Sequence, residues 1–184
     1  KFALEKDLPT VLIMGGGTGA KSLNQLVAEI VPSLVDGLQI IHITGRGKTV
    51  DINWQNFESS KGRYHQYEFL SDELCDAYVA AQVVVSRAGL GTLTELANLA
   101  KPVILIPIPR NHQEQNAAYF QEKNAALVLS QDQLTSDNLL AQITGLMSNH
   151  NLRQTLSENI SQVMKQHASS AIIDLMISIN RNRI

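Results

Sequence analysis

Cysteine, long apolar runs and net charge are all scarce in this sequence, and each scarcity excludes a class of protein. Cys75 is the single cysteine among 184 residues, so no intramolecular disulfide can form, which fits a reducing compartment. No apolar run approaches the roughly 18 residues that a membrane-spanning helix needs, and no segment has the pattern of a signal peptide. The formal net charge of -2 argues against a general nucleic-acid-binding protein.

The sequence does contain an ordinary globular composition in which strands and helices alternate. Hydrophobic residues make up 44% and charged residues 17%, and the length suits one domain with a sizeable core. Apolar runs predict six strands, at residues 10–14, 38–44, 64–70, 83–85, 103–106 and 126–129, with helices between and after them. This alternation predicts an α/β fold: a Rossmann-like parallel six-stranded sheet with helices on both faces, formed by residues 1–184 as a single domain.

The clearest functional signal is the glycine loop that follows the first strand, made of Gly15, Gly16, Gly17, Thr18 and Gly19. Glycines let the backbone approach a ligand closely, and the N-terminus of the helix that follows favours an anion. A tight strand-to-helix turn is the alternative, but four glycines in five residues exceed what a turn requires. The loop therefore predicts a phosphate site.

A dinucleotide is one candidate ligand for this loop. Gly15, Gly17 and Ala20 fit the pattern G-x-G-x-x-A, which also requires an acidic residue at the end of the second strand to hold the ribose. That strand ends in the sequence His-Ile-Thr-Gly at residues 42–45, without an acid. The dinucleotide pattern is therefore incomplete.

ATP bound by a Walker loop is the second candidate. Lys21 and Ser22 stand at the expected positions, but Ala20 replaces the glycine that should precede the lysine. The later apolar strand at 83–85 should end in a magnesium-binding aspartate, and it ends in Ser86 and Arg87 instead. This pattern is incomplete as well.

Two further segments lie where later strands end, and ligands of parallel sheets bind at that edge. Residues 86–95 form a glycine-broken turn before a helix predicted to begin at about Thr92, which would put Glu95 in its first turn. That carboxylate can hold a ribose diol or simply complement the helix dipole. Residues 110–116 offer a cation, an imidazole and several amides, with Asn111 as a candidate helix cap.

Taken together, five segments resemble the C-terminal half of MurG-type glycosyltransferases. They are Met-Gly-Gly-Gly-Thr-Gly-Ala-Lys at 14–21, Glu-Phe-Leu-Ser-Asp at 68–72, Ser-Arg-Ala-Gly-Leu-Gly-Thr-Leu-Thr-Glu at 86–95, Lys-Pro-Val-Ile-Leu-Ile-Pro at 101–107 and Asn-His-Gln-Glu-Gln-Asn-Ala at 111–117. The resemblance implies the donor half of a GT-B enzyme, with the N-terminal acceptor domain absent from this chain. It implies inverting transfer of N-acetylglucosamine (GlcNAc) from UDP-GlcNAc to undecaprenyl-diphosphate-linked muramyl pentapeptide.

The resemblance also assigns roles to individual residues. The loop Gly15, Gly16, Gly17, Thr18 and Gly19 would face the diphosphate and sugar, and Leu70 would present its backbone to the uracil. Leu90, Gly91 and Thr92 would line the phosphate, and Glu95 would bind the ribose hydroxyls. Gln113, together with His112, Gln115 or Asn116, would hold the sugar hydroxyls. No metal and no cofactor are expected.

Two departures from the family pattern qualify this interpretation. Gly17 stands where family members commonly have serine, so one hydroxyl contact is missing. The catalytic base is expected in the absent domain, together with most of the acceptor and membrane surface, so this chain should bind donor and transfer little alone. The full-length protein is expected at the cytoplasmic face of the plasma membrane.

Three other functions remain open at this level. The chain would equally suit the donor domain of another GT-B enzyme, such as a glycolipid synthase. It would also suit a non-catalytic donor-binding subunit that needs a partner chain. A P-loop NTPase is weakened by Ala20 and by the missing aspartate.

Overall fold

A computed structural model describes residues 1–15, 21–164 and 168–181 of the chain. Within these ranges, six parallel strands form one sheet in the order β3-β2-β1-β4-β5-β6. The strands are β1 (Thr10–Met14), β2 (Gln39–Ile43), β3 (Tyr64–Tyr67), β4 (Val83–Ser86), β5 (Val103–Leu105) and β6 (Leu127–Val128). The order of the strands reverses between β1 and β4, which is the position where such sheets open a crevice for ligands.

Seven α-helices in the described residues connect or follow these strands. They are α1 (Lys21–Leu34), α2 (Leu74–Ala80), α3 (Leu90–Asn98), α4 (His112–Glu122), α5 (Ser136–Ser148), α6 (His150–Val163) and α7 (Ala168–Arg181). The predicted six-stranded parallel sheet with intervening helices is confirmed. The sequence did not reveal two short 3-10 helices, at Glu58–Arg63 and Gln131–Gln133.

Helices cover both faces of the sheet because alternate strand residues point to opposite sides. On one side, Leu12 of β1 belongs to a core with residues of α2, α3 and α4, including Tyr78, Leu96 and Phe120. On the other side, Ile13 belongs to a core with residues of α1 and α5. All five residues of β1 are buried, as expected for the central strand.

At the amino edge of the sheet, two glutamine side chains bind neighbouring backbone, and Gln39 is the buried one. Gln39 donates from Nε2 to the carbonyls of Glu5 (2.9 Å) and Leu8 (2.8 Å), and its Oε1 accepts from the Glu5 N–H. Gln82 Oε1 accepts from the Thr10 N–H at 2.6 Å. This edge therefore has its polar groups paired within the chain.

Helix α7 differs from the others because its apolar side chains face outward. Six large apolar residues of α7, from Ile172 to Ile179, are 46–65% exposed. No helix in the described ranges is both long enough and apolar enough to cross a membrane.

Candidate functional site

The carboxyl edge of the sheet gathers the segments that the sequence singled out. Gly15 is buried directly after β1, and α1 begins at Lys21 without an acidic residue in its first turn. Gly16, Gly17, Thr18 and Gly19 lie outside the described residues, so their predicted contacts with diphosphate remain predictions.

The N-terminus of α3 is open to an anion. The helix begins at Leu90, and Gly89 occupies the N-cap position in an extended conformation (φ -71°, ψ 137°). In this fully described helix, no side chain caps the N-terminus and no acid lies in the first turn. The first intrahelical bond runs from the Leu93 N–H to the Gly89 carbonyl, so the N–H groups of residues 90–92 have no carbonyl partner within the helix.

Access to these N–H groups is also open. A Cβ atom built on Gly89 or on Gly91 would have no heavy atom within 4 Å. Both glycines therefore leave room for a ligand beside the backbone. Leu90 is itself exposed, and Thr92 is half-buried.

The start of α3 corrects two details of the sequence interpretation. The helix begins at Leu90, two residues before the predicted Thr92, so Glu95 lies in the second turn. A carboxylate there is too far along the helix to complement the free N–H groups, because the dipole effect is confined to the first turn. The Thr94 hydroxyl donates to the Leu90 carbonyl at 2.9 Å, so its proton is used within the helix.

Glu95 is held by a tyrosine that the sequence analysis missed. The hydroxyl of Tyr78 donates to Glu95 Oε2 at 2.8 Å, and Tyr78 is only 2% exposed. Burial is the main cause that raises the pKa of Tyr78, so its hydroxyl stays protonated and remains a donor. In the sequence, Tyr78 is visible only as part of the apolar face of a helix, which hides its polar end.

Arg87 is a second site residue that the sequence analysis did not recognise. It is 5% exposed, and its Nη1 donates to the Ile106 carbonyl at 2.8 Å, which joins the ends of β4 and β5. Burial lowers the pKa of the guanidinium from a value so high that the group stays charged at neutral pH. Its Nε is buried without a hydrogen-bond partner among the described residues. The edge thus carries a positive charge with unused donor capacity.

The N-terminus of α4 is already occupied by its own side chains. Asn111 caps it by accepting from the Gln113 N–H at 3.2 Å, which confirms the predicted cap. Glu114 in the first turn accepts from the Arg110 N–H at 2.9 Å. An anion therefore finds less free donor capacity here than at α3.

The predicted sugar-binding residues on α4 fall into two groups. His112 and Gln115 are exposed, whereas Gln113 and Asn116 are half-buried and bound to backbone. Gln113 Oε1 accepts from the Ile108 N–H at 3.3 Å, and Asn116 Nδ2 donates to the Ala88 carbonyl at 3.0 Å. Asn116 therefore joins α4 to the turn that leads into α3, which brings both helix starts to one place.

Leu70, the predicted contact for a base, is buried beyond the end of β3. The neighbouring Phe69 is 53% exposed, and the Arg46 guanidinium carbon lies 5.2 Å from the centre of its ring. Glu68 Oε1 accepts from the Gly47 N–H at 3.1 Å. The loop after β2 and the segment after β3 thus form one continuous wall at this edge.

Metal-ligating side chains do not cluster in the described part of the chain, where no group of three or more His, Cys, Asp or Glu residues could hold an ion. Donors that the described edge presents include the backbone N–H groups at the start of α3 and the Arg87 guanidinium.

The chain matches the model of a known protein family over most of its length. Residues 10–175 match the model of the glycosyltransferase family 28 C-terminal domain. The chain belongs to this family. The resemblance predicted from the five sequence segments is confirmed, and so is the fold of the C-terminal half of a GT-B glycosyltransferase.

Curated relatives of this family 28 domain carry one name in several bacteria. A protein of Lachnospira eligens, named UDP-N-acetylglucosamine--N-acetylmuramyl-(pentapeptide) pyrophosphoryl-undecaprenol N-acetylglucosamine transferase, is 32% identical over 174 residues. That match covers 92% of this chain and 47% of the relative. The protein of the same name from Desulfotalea psychrophila is 33% identical, with coverage of 97% and 50%. The chain thus spans about half the length of these relatives.

Solved structures agree on the fold of the family 28 domain. MurG of Acinetobacter baumannii superposes with a TM-score of 0.76 at 25% identity, covering 96% of this chain and 51% of that one. The UDP-GlcNAc 2-epimerase of Neisseria meningitidis, solved with UDP-GlcNAc bound, superposes with a TM-score of 0.64 at 15% identity, covering 95% and 45%. The second likeness concerns the fold alone.

Proposed function

We propose that this chain is the donor-binding half of an inverting glycosyltransferase that uses UDP-GlcNAc. The uncapped N-terminus of α3, with Glu95 one turn further along the helix, carries the proposal. Unpaired N–H groups at a helix start suit a phosphate, and a carboxylate nearby suits a ribose diol. One helix therefore offers groups that suit both the phosphate and the ribose of a nucleoside diphosphate.

The diphosphate is proposed to lie between the glycine loop and α3. N–H groups of residues 90–92 and the positive end of the helix dipole would meet the phosphate oxygens. The buried guanidinium of Arg87 adds positive charge at the same edge. Gly15 to Gly19 are proposed to close the other side, as their sequence predicts.

The nucleoside is proposed to lie towards β3. Glu95, oriented by Tyr78, would accept hydrogen bonds from the ribose hydroxyls. The backbone of Leu70 would face the uracil. The exposed positions of His112 and Gln115, beside Gln113 and Asn116, would place amide and imidazole groups around the sugar.

Transfer in the full-length protein is proposed to proceed by direct displacement. An acceptor hydroxyl attacks the anomeric carbon of GlcNAc, a base takes its proton, and the bond to the UDP oxygen breaks. The leaving diphosphate gains negative charge, which the N–H groups at α3 stabilise without having to reorganise. The acceptor is proposed to be undecaprenyl-diphosphate-linked muramyl pentapeptide, converting lipid I to lipid II in peptidoglycan synthesis.

The base, the acceptor surface and the contact with the membrane are proposed to belong to an N-terminal domain outside this chain, since its relatives are about twice as long. The full-length protein is proposed to work at the cytoplasmic face of the plasma membrane. Turnover of UDP-GlcNAc and lipid-linked acceptor by the 184-residue chain alone would contradict this division of labour.

Calorimetric titration of the chain with UDP, UDP-GlcNAc, UDP-glucose and ADP tests the donor assignment. We expect both UDP and UDP-GlcNAc to bind, and ADP to bind at least about 10-fold more weakly because the base site is lined by backbone. Equal affinity for ADP, or no binding of UDP, would remove the UDP-sugar assignment.

The ribose role of Glu95 has its own test. We expect Glu95→Ala to weaken UDP binding by about 10-fold, the order of one hydrogen bond to a charged group, without loss of the fold. The same variant should lose less affinity for 2′-deoxy-UDP than for UDP, because 2′-deoxy-UDP offers Glu95 only the 3′-hydroxyl. A loss of equal size for UDP and 2′-deoxy-UDP would place Glu95 elsewhere than at the 2′-hydroxyl.

A further inference from the structure

A set of hydrogen-bonded polar side chains, buried or half-buried, lies behind the proposed nucleotide site. Its centre is His42 of β2, which is fully buried on the side of the sheet that α1 covers. His42 Nε2 lies 3.2 Å from Asn24 Oδ1, and His42 Nδ1 lies 2.8 Å from the Tyr64 hydroxyl. These three side chains therefore connect α1, β2 and β3.

Asn24 binds the turn that follows β2 at both of its ends. Its Nδ2 donates to the carbonyls of Thr44 (2.9 Å) and Lys48 (3.1 Å). Between them, Gly45 and Gly47 have positive φ angles of 91° and 64°. One side-chain amide thus fixes the shape of a turn that lies at the carboxyl edge of the sheet.

These bonds determine the protonation of His42. Carbonyl oxygens only accept, so Asn24 must present its Nδ2 to the turn and its Oδ1 to His42. Nε2 of His42 is then the donor. In the neutral ring Nδ1 is left as the acceptor of the Tyr64 O–H. Burial lowers the pKa of His42 to about 4, in agreement with a neutral ring.

Gln66 holds the segment that follows the turn. The Tyr64 hydroxyl has one proton, which it donates to His42 Nδ1, so its 3.3 Å approach to Gln66 Oε1 is not a second hydrogen bond. The Gln66 amide binds both backbone groups of Val50, accepting from its N–H at 2.9 Å and donating to its carbonyl at 3.2 Å. Residues 44–50 are therefore held at three points by two side-chain amides, Asn24 at Thr44 and Lys48 and Gln66 at Val50.

We propose that His42 and Asn24 are positioning residues for the nucleotide site. They keep the 44–48 turn in place against α1, the helix that begins directly after the glycine loop. This turn also contacts the segment from Glu68 to Leu70. The Gly47 N–H donates to Glu68, and the Arg46 guanidinium lies over the ring of Phe69. The inference rests on the proposed function, because the turn links α1 to the segment after β3, where the nucleoside is proposed to lie. Buried polar groups are expensive to desolvate, and apolar residues would fill this space at lower free energy.

The amino end of β2 provides a matched control. Gln39, like Asn24, is a buried amide that donates to two backbone carbonyls and accepts one hydrogen bond. Asn24→Asp, in α1 against the turn after β2, and Gln39→Glu, at the amino end of β2, therefore make the same chemical change. We expect both to lower Tm to a similar extent. Asn24→Asp should weaken UDP binding by at least about 10-fold, and Gln39→Glu by less than about twofold.

A conservative rescue separates positioning from stability. His42→Leu removes both hydrogen bonds and should weaken UDP binding by about 10-fold. His42→Gln keeps one donor and one acceptor, and should bind UDP within about threefold of the unaltered chain. Tyr64→Phe is the milder variant, and should shift the nitrogen chemical shift of His42 Nδ1 while the fold is retained.

The outcomes are distinct. Equal losses of UDP affinity in Asn24→Asp and Gln39→Glu, or no rescue by His42→Gln, would overturn the inference and leave the proposed function intact. A Tyr64→Phe variant that shows neither a weaker UDP affinity nor a changed Nδ1 shift would also overturn it. Failure of the unaltered chain to bind UDP would overturn the proposed function and this inference with it.

Discussion

Helices α3 and α4 begin side by side at the carboxyl edge of the sheet, but their N-termini differ. In α4, Asn111 accepts from a first-turn N–H and Glu114 supplies negative charge. In α3, which is also fully described, Gly89 offers no cap and the first turn has no acid. A helix that leaves its N–H groups unpaired forgoes stability and keeps an anion site. The difference favours α3 over α4 as the helix of the proposed diphosphate site.

The largest expected effect comes from making α3 resemble α4. Gly89→Asp fits the extended N-cap conformation, and a Cβ atom at this position meets no heavy atom within 4 Å. Its carboxylate would cap α3 and repel phosphate, so UDP affinity should fall by at least about 100-fold while Tm is maintained. Gly62→Asp, which also has open space for a side chain, is the charge control and should leave UDP affinity unaltered. Retained UDP binding in Gly89→Asp would show that the diphosphate lies elsewhere.

Acid should weaken the fold but leave the unpaired N–H groups of α3 in place, because backbone groups do not titrate. Burial lowers the pKa of His42 to about 4, from about 6.5 for an exposed histidine. The unfolded chain therefore binds more protons between these values, so stability falls as pH falls from about 6.5 towards 4. The titratable group that faces His42 is the Tyr64 hydroxyl, which stays protonated because burial raises its pKa.

The expected loss in the free energy of unfolding between pH 7 and pH 5 is about 2 kcal/mol. Burial also lowers the pKa of His65, which adds a contribution of the same sign. Thermal unfolding at several pH values measures the slope, and His42→Gln should flatten it. A slope that is unchanged in this variant would assign the acid sensitivity to other groups.

Removing the cap of α4 tests the other half of the comparison. Asn111→Ala should lower the free energy of unfolding by about 1 kcal/mol, and Tm by about 2–4 °C, because it leaves a first-turn N–H without its side-chain acceptor. UDP affinity should stay within about twofold. A large loss of UDP affinity with unchanged Tm would mean that α4 contacts the diphosphate directly.

The smallest expected effect is at Gly91, in the first turn of α3. A Cβ there meets nothing within 4 Å in the chain, so Gly91→Ala should fold normally. The added methyl group would crowd a ligand on the N–H groups, and we expect UDP affinity to fall by about threefold. Calorimetry can resolve a change of this size, and a gain in affinity would contradict close approach at this residue.

Most of the fold could be predicted from sequence because each element has a strong local signal. The apolar runs at β1 and β4 end in glycine or polar turns, and their positions are confirmed within one residue. The start of α3 was wrong by two residues, because glycines on both sides of Leu90 are typical of a turn. Local pattern cannot show that these glycines belong to the N-cap and first turn of a helix.

The site was predictable only in part, because its support comes from distant residues. Glu95 and Asn116 were visible through their motifs. Tyr78 lies 17 residues before the carboxylate it holds, and Arg87 binds a carbonyl 19 residues later. Such contacts depend on how strands are ordered in the sheet, and no local periodicity reports that order. The contacts of Gly16 to Gly19 remain a prediction.

The central position of β1 in the sheet leaves one of its edges unpaired for part of the chain's synthesis. Thr10 begins β1 and pairs with Gln82, which follows 72 residues later. At a synthesis rate of about 5–20 residues per second, the apolar edge of β1 that faces β4 waits about 4–14 seconds for its partner. An unpaired apolar strand edge is a template for aggregation. The nascent chain therefore exposes this edge of β1 until β4 has left the ribosome.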